Sequence, residues 1–284
     1  MVDIDETPAA MRTLSVSKIE KALLCPLAMK FQYVDRIPQP SGGKLLAGNV
    51  VHEILEFALR GFARTGKYPD WKELDDLYEP TWQKRVAKEE AREDFLGWDW
   101  SSDDPEEKVK REYRPLVKIA REQVLPSLKP WMLGGEPVVE YKIDLELQSD
   151  VGPFTLLGYL DLLDHTGMLI DWKTTEQEVS KRARKTWLQF AAYSLWAWPI
   201  VGDDTMRCEK IFLVRASRPY VERVPFTITP KHRGYLVRVA AEVWKMVHHG
   251  VFLPNTETWH CSPKFCAFYA GCQGEIDKPS TTPH

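Results

Sequence analysis

Two strand-like runs, Phe154 to Leu163 and Met168 to Trp172, meet across the turn Asp164-His165-Thr166-Gly167. This hairpin constrains the fold more than any other feature of the chain. A three-residue loop, His165 to Gly167, centres it on Thr166, with Gly167 available for the left-handed position such loops require. Positions 161 and 171 are equidistant from 166, so Asp161 and Asp171 fall directly opposite each other, their Cβ atoms about 4.5–5.5 Å apart. Asp171 and Lys173 lie two residues apart on one strand and share its face. Two carboxylates so close stay ionised only if their charge is compensated, and a bound Mg²⁺ or Mn²⁺ does this. Such a centre polarises a phosphoryl oxygen and acidifies a bound water, while Lys173 positions that water and stabilises developing negative charge. A lone Asp-x-Lys is common and by itself reads as an exposed hairpin face. The Gly158-x-x-Asp161 strand in register with it strengthens the reading.

The rest of the chain arranges helices around this hairpin. Ser17 and Glu20 read as a capping box for a first helix that meets Cys25-Pro26. A Pro/Gly/Ser-rich loop, Ile37 to Lys44, precedes a second helix from about Asn49 to Thr65, closed by Gly66. Residues 67–136 read as a charged helical insertion, and its charge runs as solvated helix faces. Val139, Tyr141, Ile143, Leu145 and Leu147 alternate with Glu140, Lys142, Asp144 and Glu146, the period of a half-buried strand. After the hairpin come a helix (about 180–197), a strand (Cys208 to Val214) and a helix (about 231–249). One domain is expected: N-terminal helices over 15–66, the insertion, an α/β core over 137–250, a cysteine-bearing segment over 251–272 and a polar tail over 273–284.

Gly158-x-x-Asp161 followed by Asp171-x-Lys173 resembles the active-site hairpin of the PD-(D/E)xK nucleases. The resemblance extends to their RecB-like branch. Gly48-Asn-Val-Val-His52-Glu-Ile-Leu-Glu56 is similar to its G-x-x-x-H-x-x-x-E helix, and Gln189-Phe-Ala-Ala-Tyr193 to its Q-x-x-x-Y. The chain departs from the superfamily pattern at Leu160, which stands where the name has proline. The resemblance implies an α/β fold with a mixed central sheet flanked by helices. It assigns His52, Asp161 and Asp171 to a metal, Lys173 to catalysis, and Gln189 and Tyr193 to orienting substrate or water. It also implies a metal-dependent DNA exonuclease acting in recombination, end-resection or CRISPR spacer processing. A histidine ligand favours Mn²⁺. A non-catalytic DNA-end-binding partner and a DNA endonuclease are the alternatives.

The chain has five cysteines, an odd number that argues against a disulfide framework in a chain expected to be intracellular. Cys261-x4-Cys266-x5-Cys272 matches no zinc finger built from paired C-x2–4-C units. It resembles the C-terminal triad of iron–sulfur RecB-like nucleases, such as the AddB nuclease domain and the CRISPR-associated adaptation exonucleases, although their first gap is x2. In that resemblance Cys25 is the fourth ligand, the group is a 4Fe–4S cluster, and the cluster forms a structural C-terminal cap; zinc is the alternative occupant. Cys208 reads as a small buried hydrophobe.

The net charge of −3 gives no global pull toward nucleic acid, so any DNA contact has to be local. Lys181, Arg182, Arg184 and Lys185, with Trp187, Trp196 and Trp198 nearby, are the candidate contact, weighed against a solvated helix face. DNA, single-stranded or with free ends, is the expected partner, and a recombination or CRISPR adaptation protein a second one. The residues fix no oligomeric state. The first residues carry Asp3, Asp5 and Glu6 with no apolar stretch after them, and no run approaches the roughly 18–20 apolar residues of a membrane span. A cytoplasmic protein, of bacterial or phage origin, is expected.

Overall fold

The computed structural model describes Met11, residues 13–176, Val179 and residues 187–273. Strand β1 (Thr13–Ser15) leads into α1 (Val16–Leu24), where Ser15 is the N-cap and accepts the Lys18 N–H at 3.3 Å. The cap thus lies two residues before the Ser17 expected from sequence. Val16 is buried with Ile19 and Ala22, and that inner face sets the start. Cys25 ends α1 in extended conformation, and Pro26 opens α2 (Pro26–Met29), as a proline at a first helical position can.

Helix α3 (Gly43–Thr65) closes at Gly66, which adopts φ 72° as a left-handed C-cap. It begins at Gly43 rather than near Asn49, because Leu46, Ala47 and Val50 carry its buried face backward. Its first turn is capped from a distance: the Gly43 N–H donates to Asp99 Oδ1 at 2.7 Å. Helices α4 (Trp71–Asp76), α5 (Tyr78–Glu90) and α6 (Glu106–Gln123) fill the charged stretch that follows.

A short ribbon, β2 (Met132–Leu133) with β3 (Glu136–Pro137), precedes the long strands β4 (Val139–Ser149), β5 (Gly152–Leu163) and β6 (Leu169–Thr175). Helix α7 (Leu188–Val201), β7 (Met206–Val214), β8 (Tyr220–Ile228), α8 (Pro230–His248) and α9 (Tyr269–Gln273) complete the order. The sheet is mixed: β5 and β6 are antiparallel, β6 and β7 parallel, β7 and β8 antiparallel, with β4 and β1 also paired to β5. Strand β8 was not anticipated. Pro225 interrupts its pattern and is tolerated because β8 ends the sheet order, where a missing N–H breaks no further ladder.

The chain divides into two compact units. The larger comprises Pro40–Leu145 and Leu157–Leu236. In it, α3, α5 and α6 share one apolar core with Ile170, Trp172, Ile211 and Leu213 of the sheet. The intervening residues of β7 face the other way, where Phe190 of α7 meets Phe226 edge-on at 4.7 Å. Helices therefore flank the mixed sheet on both faces. The smaller unit comprises Met1–Gln39, Glu146–Leu156 and Val237–His284. In it, Phe154 stacks on Trp244 and Phe31 packs against Phe268. Among the described residues no helix is long and apolar enough to cross a membrane.

Candidate active site

The hairpin adopts the expected register. Leu162 pairs with Ile170 and Leu163 with Leu169, which places residue 161 across from residue 171. Gly167 takes φ 77°, and its N–H closes the turn onto the Asp164 carbonyl at 2.8 Å. The Asp164 carboxylate holds the loop by accepting the N–H groups of Thr166 and Lys129. The paired residues end at Leu162 and Ile170, and one position further on Asp161 Oδ2 accepts the Trp172 N–H at 3.0 Å.

Three elements converge on Asp161. Helix α3 brings His52, whose Nδ1 lies 3.8 Å from Asp161 Oδ2. Strand β4 brings Glu140, 3.4 Å from the same Nδ1. Ligand atoms of His52, Glu140 and Asp161 all lie within 4.8 Å of one another. Strand β6 adds Asp171, which is fully buried, and Lys173, whose Nζ stands 3.0 Å from Asp171 Oδ1. Helix α7 adds Gln189, which donates to the Tyr193 hydroxyl. Tyr193 is buried, and the charges of Asp171 and Asp161 reach it.

The close approach of α3 rests on Gly48. A Cβ there would stand 2.9 Å from Thr174 Oγ1, so any side chain would push the helix carrying His52 away from β6. Glu140 sits at φ 45°, a conformation strained for a residue with a side chain. Its backbone is held by Arg60, which donates to the Val139 carbonyl at 2.6 Å and pairs with Glu56 at 2.7 Å. Sequence reasoning missed Glu140, since it read as the solvent face of an alternating strand. No local signal marks the backbone turn that redirects it.

Electrostatics set this cluster apart from an ordinary ion pair. Burial, followed by the charge of Asp171, pushes the Asp161 carboxyl up to about 7. Burial opposes the charge on His52, yet Asp161 and Glu140 outweigh it and raise its pKa. Burial likewise opposes the Lys173 ammonium, and Asp171 and Asp161 outweigh it, raising its pKa to about 12. Among the described residues neither Asp171 oxygen has a hydrogen bond of good geometry, and the Lys173 ammonium pairs with Oδ1 at 3.0 Å. A fully buried carboxylate held by one ion pair beside a second buried carboxylate is costly, and a hard divalent cation with oxygen and imidazole ligands relieves that cost. His52, Glu140 and Asp161 fit such an ion; Asp171, expected from sequence as a ligand, stands beside them outside that 4.8 Å set.

Residues 13–273 match the PD-(D/E)XK nuclease superfamily. The chain belongs to that superfamily. It is 24% identical over 272 residues to the Gene 69 protein of Mycobacterium phage D29, a match covering 91% of this chain and 95% of that protein. The crystal structure of a candidate exonuclease from Eubacterium rectale superposes with a TM-score of 0.57 at 9% identity, covering 100% of this chain and 96% of the other, and shows the same fold. PD-(D/E)XK nucleases use divalent metals, and the acidic cluster of this member could hold one.

The other sequence candidates stand apart from this cluster. Lys181, Arg182, Arg184 and Lys185 lie outside the described residues. Of the neighbouring tryptophans, Trp196 packs on Tyr141, Trp187 on His232 and Tyr235, and Trp198 under the Arg233 guanidinium. Cys25, Cys261, Cys266 and Cys272 line one cavity of the smaller unit. Among the described residues no three of their sulfurs come within 4.8 Å of one another. They share a cavity without adopting the geometry of a common metal site. Cys208 is buried in β7, and burial pushes its thiol up to about 12.

Proposed function

We propose that this PD-(D/E)XK protein is a Mg²⁺- or Mn²⁺-dependent DNA exonuclease. The observation that carries the reading is the cluster of His52, Glu140 and Asp161 beside the buried Asp171 and its Lys173 ammonium. His52, Glu140, Asp161 and Asp171 would hold the cation. Bound there, it would supply Lewis-acid polarisation of the scissile phosphate and a lowered pKa for a coordinated water. Lys173 stays protonated across the working pH range, so its task is to stabilise charge building on the phosphoryl oxygens, not to remove a proton. Tyr193, held by Gln189, keeps its hydroxyl proton and is able to donate it to a substrate oxygen. A chain with this cluster intact is a poor candidate for a non-catalytic end-binding protein.

The phage relative, matched nearly end to end, favours a phage setting for this activity. Linear DNA labelled at its ends should be degraded with Mn²⁺ and spared in EDTA, while closed-circular DNA survives both. Cleavage of the circle would replace the exonuclease by an endonuclease, and no cleavage at all would leave the end-binding alternative.

A second metal centre, an iron–sulfur cluster, is proposed on the motif resemblance of the four cysteines that line one cavity, and its binding would have to draw their sulfurs closer together. It would join chain segments some 230 residues apart, which already meet where the Asn255 N–H donates to Cys25 Sγ at 3.5 Å. Iron and acid-labile sulfide are expected in the protein purified without oxygen. Stoichiometric zinc in their place would overturn the cluster.

A further inference from the structure

We propose that the face of α3 carrying His52 continues as a track for the sugar–phosphate backbone of DNA. The track ends at Arg85 and Lys88 of the helical insertion, which bind a phosphate roughly three nucleotides from the one being cut. The inference rests on the nuclease reading and adds a second anchoring point to its site. The charge runs of the insertion read from sequence as solvated helix faces; one of them lines a cavity that reaches the helix of His52.

His52, Asn49 and Leu45 follow one another at spacings of three and four on α3, and so share one face of the helix. A cavity of about 620 Å³ opens on this face, lined by His52, Asn49, Leu45 and Lys173. His52 and Lys173 in its wall make it the approach to the catalytic cluster. A second cavity, of about 160 Å³, is lined by Leu45 and Asn49 again, and by Arg85, Lys88 and Trp98. Two hollows that share the same two side chains form one groove along α3. Leu45 lies seven residues before His52, about 10.5 Å at the helical rise of about 1.5 Å per residue. One DNA strand advances about 3.4 Å per nucleotide, so the groove spans about three of them.

The far end of the groove carries positive charge beyond what its carboxylates neutralise. Lys84 and Arg85 share a single carboxylate, Glu53, at 2.7 and 2.6 Å. Lys88 is exposed and has no ion-pair partner among the described residues. The other carboxylate in the lining, Glu89, accepts from Ser41 and pairs with Arg92. In the nearer cavity Lys44 is held at 2.7 Å by both Asp104 and Glu176, so it offers a phosphate less than Lys88 does. Midway, the Asn49 side chain has no hydrogen-bond partner among the described residues, which leaves its amide donors for phosphate oxygens. Leu45, 68% exposed, gives a deoxyribose an apolar surface. The start of α3 is not the anion seat, since Asp99 already accepts the Gly43 N–H. Such contacts grip the backbone and read no base.

The test measures binding of the full-length chain in EDTA over a range of salt concentrations, by anisotropy of a fluorescent DNA strand longer than the groove. Lys88→Ala should lower the slope of log affinity against log salt by about 0.7–0.9, the share of one phosphate contact. Lys88→Arg, which keeps the charge, should restore affinity and slope together. Lys72→Ala removes another exposed lysine of the insertion that lines neither cavity, and should bind as the native chain does. An unchanged slope in Lys88→Ala, an equal change in Lys72→Ala, or a native chain that binds no DNA overturns the track. Cleavage of the same strand with Mn²⁺ reports separately on the nuclease reading. A chain that shows the Lys88 slope and cuts nothing keeps the track and loses the nuclease. One that cuts the strand but binds it equally with and without Lys88 does the reverse.

Discussion

Lys173→Ala is expected to lower DNA cleavage by roughly 10²–10³-fold, with a far smaller change in DNA affinity. The ammonium stands 3.0 Å from the fully buried Asp171 carboxylate while its own side chain is 38% exposed, so it can face both that carboxylate and an approaching phosphate. Its pKa of about 12 keeps it charged, so Lys173→Arg should retain more activity than Lys173→Ala, and the pH–rate profile of the native chain should lack a lysine ionisation below pH 10. Single-turnover rates on end-labelled DNA separate these effects from binding. A Lys173→Ala chain that cuts at near-native rate would remove Lys173 from the chemistry and, with it, the case for the whole cluster.

The second large effect concerns stability and needs no activity at all. The Asp161 carboxyl is raised from its ordinary value to about 7 by burial and by Asp171. A carboxyl raised in the folded state contributes stability that is fully present below its unfolded value, near 3.8, and is lost as pH rises through about 7. The metal-free protein should therefore lose stability between about pH 4 and pH 8 through this group. At pH 8, Asp161→Asn should unfold several degrees higher than the native chain in EDTA, at roughly 2–4 °C per kcal/mol for a chain of this size. Saturating Mn²⁺ should reverse the order. An ion at about 100 times its dissociation constant adds about 2.7 kcal/mol to the native chain, and Asp161→Asn should gain little. Thermal unfolding at pH 5 and pH 8, with Mn²⁺ and with EDTA, measures all of this. An Asp161→Asn chain that is less stable than the native one in EDTA at pH 8 would mean that the cluster is already compensated within the protein.

The hairpin was legible because its arithmetic is local. One turn centre fixes which residues oppose, and Gly167 fixes the turn. His52 and the Gln189–Tyr193 pair were singled out by resemblance to family motifs and not by local spacing; the structure sets His52 beside Asp161 and lets Gln189 donate to Tyr193. What the sequence hid depends on distant partners. The start of α3 is set by Asp99, 56 residues away, so the loop expected up to Lys44 ends earlier. Glu140 enters the site because Arg60 of α3 holds the backbone beside it, and a strand pattern records nothing of that contact. Strand β8 was hidden by Pro225, whose penalty depends on whether a strand is at an edge. The Ser15 cap was passed over for Ser17 because a capping-box pattern outweighed the buried Val16.

The central claim is that His52, Glu140, Asp161 and Asp171 hold a divalent cation beside Lys173. Anomalous diffraction at the manganese edge, from crystals grown with Mn²⁺, tests it most directly. The claim predicts a peak among the His52 imidazole and the three carboxylates, absent from crystals of Asp161→Asn. An empty cluster at saturating Mn²⁺, or a peak that persists in Asp161→Asn, would contradict it.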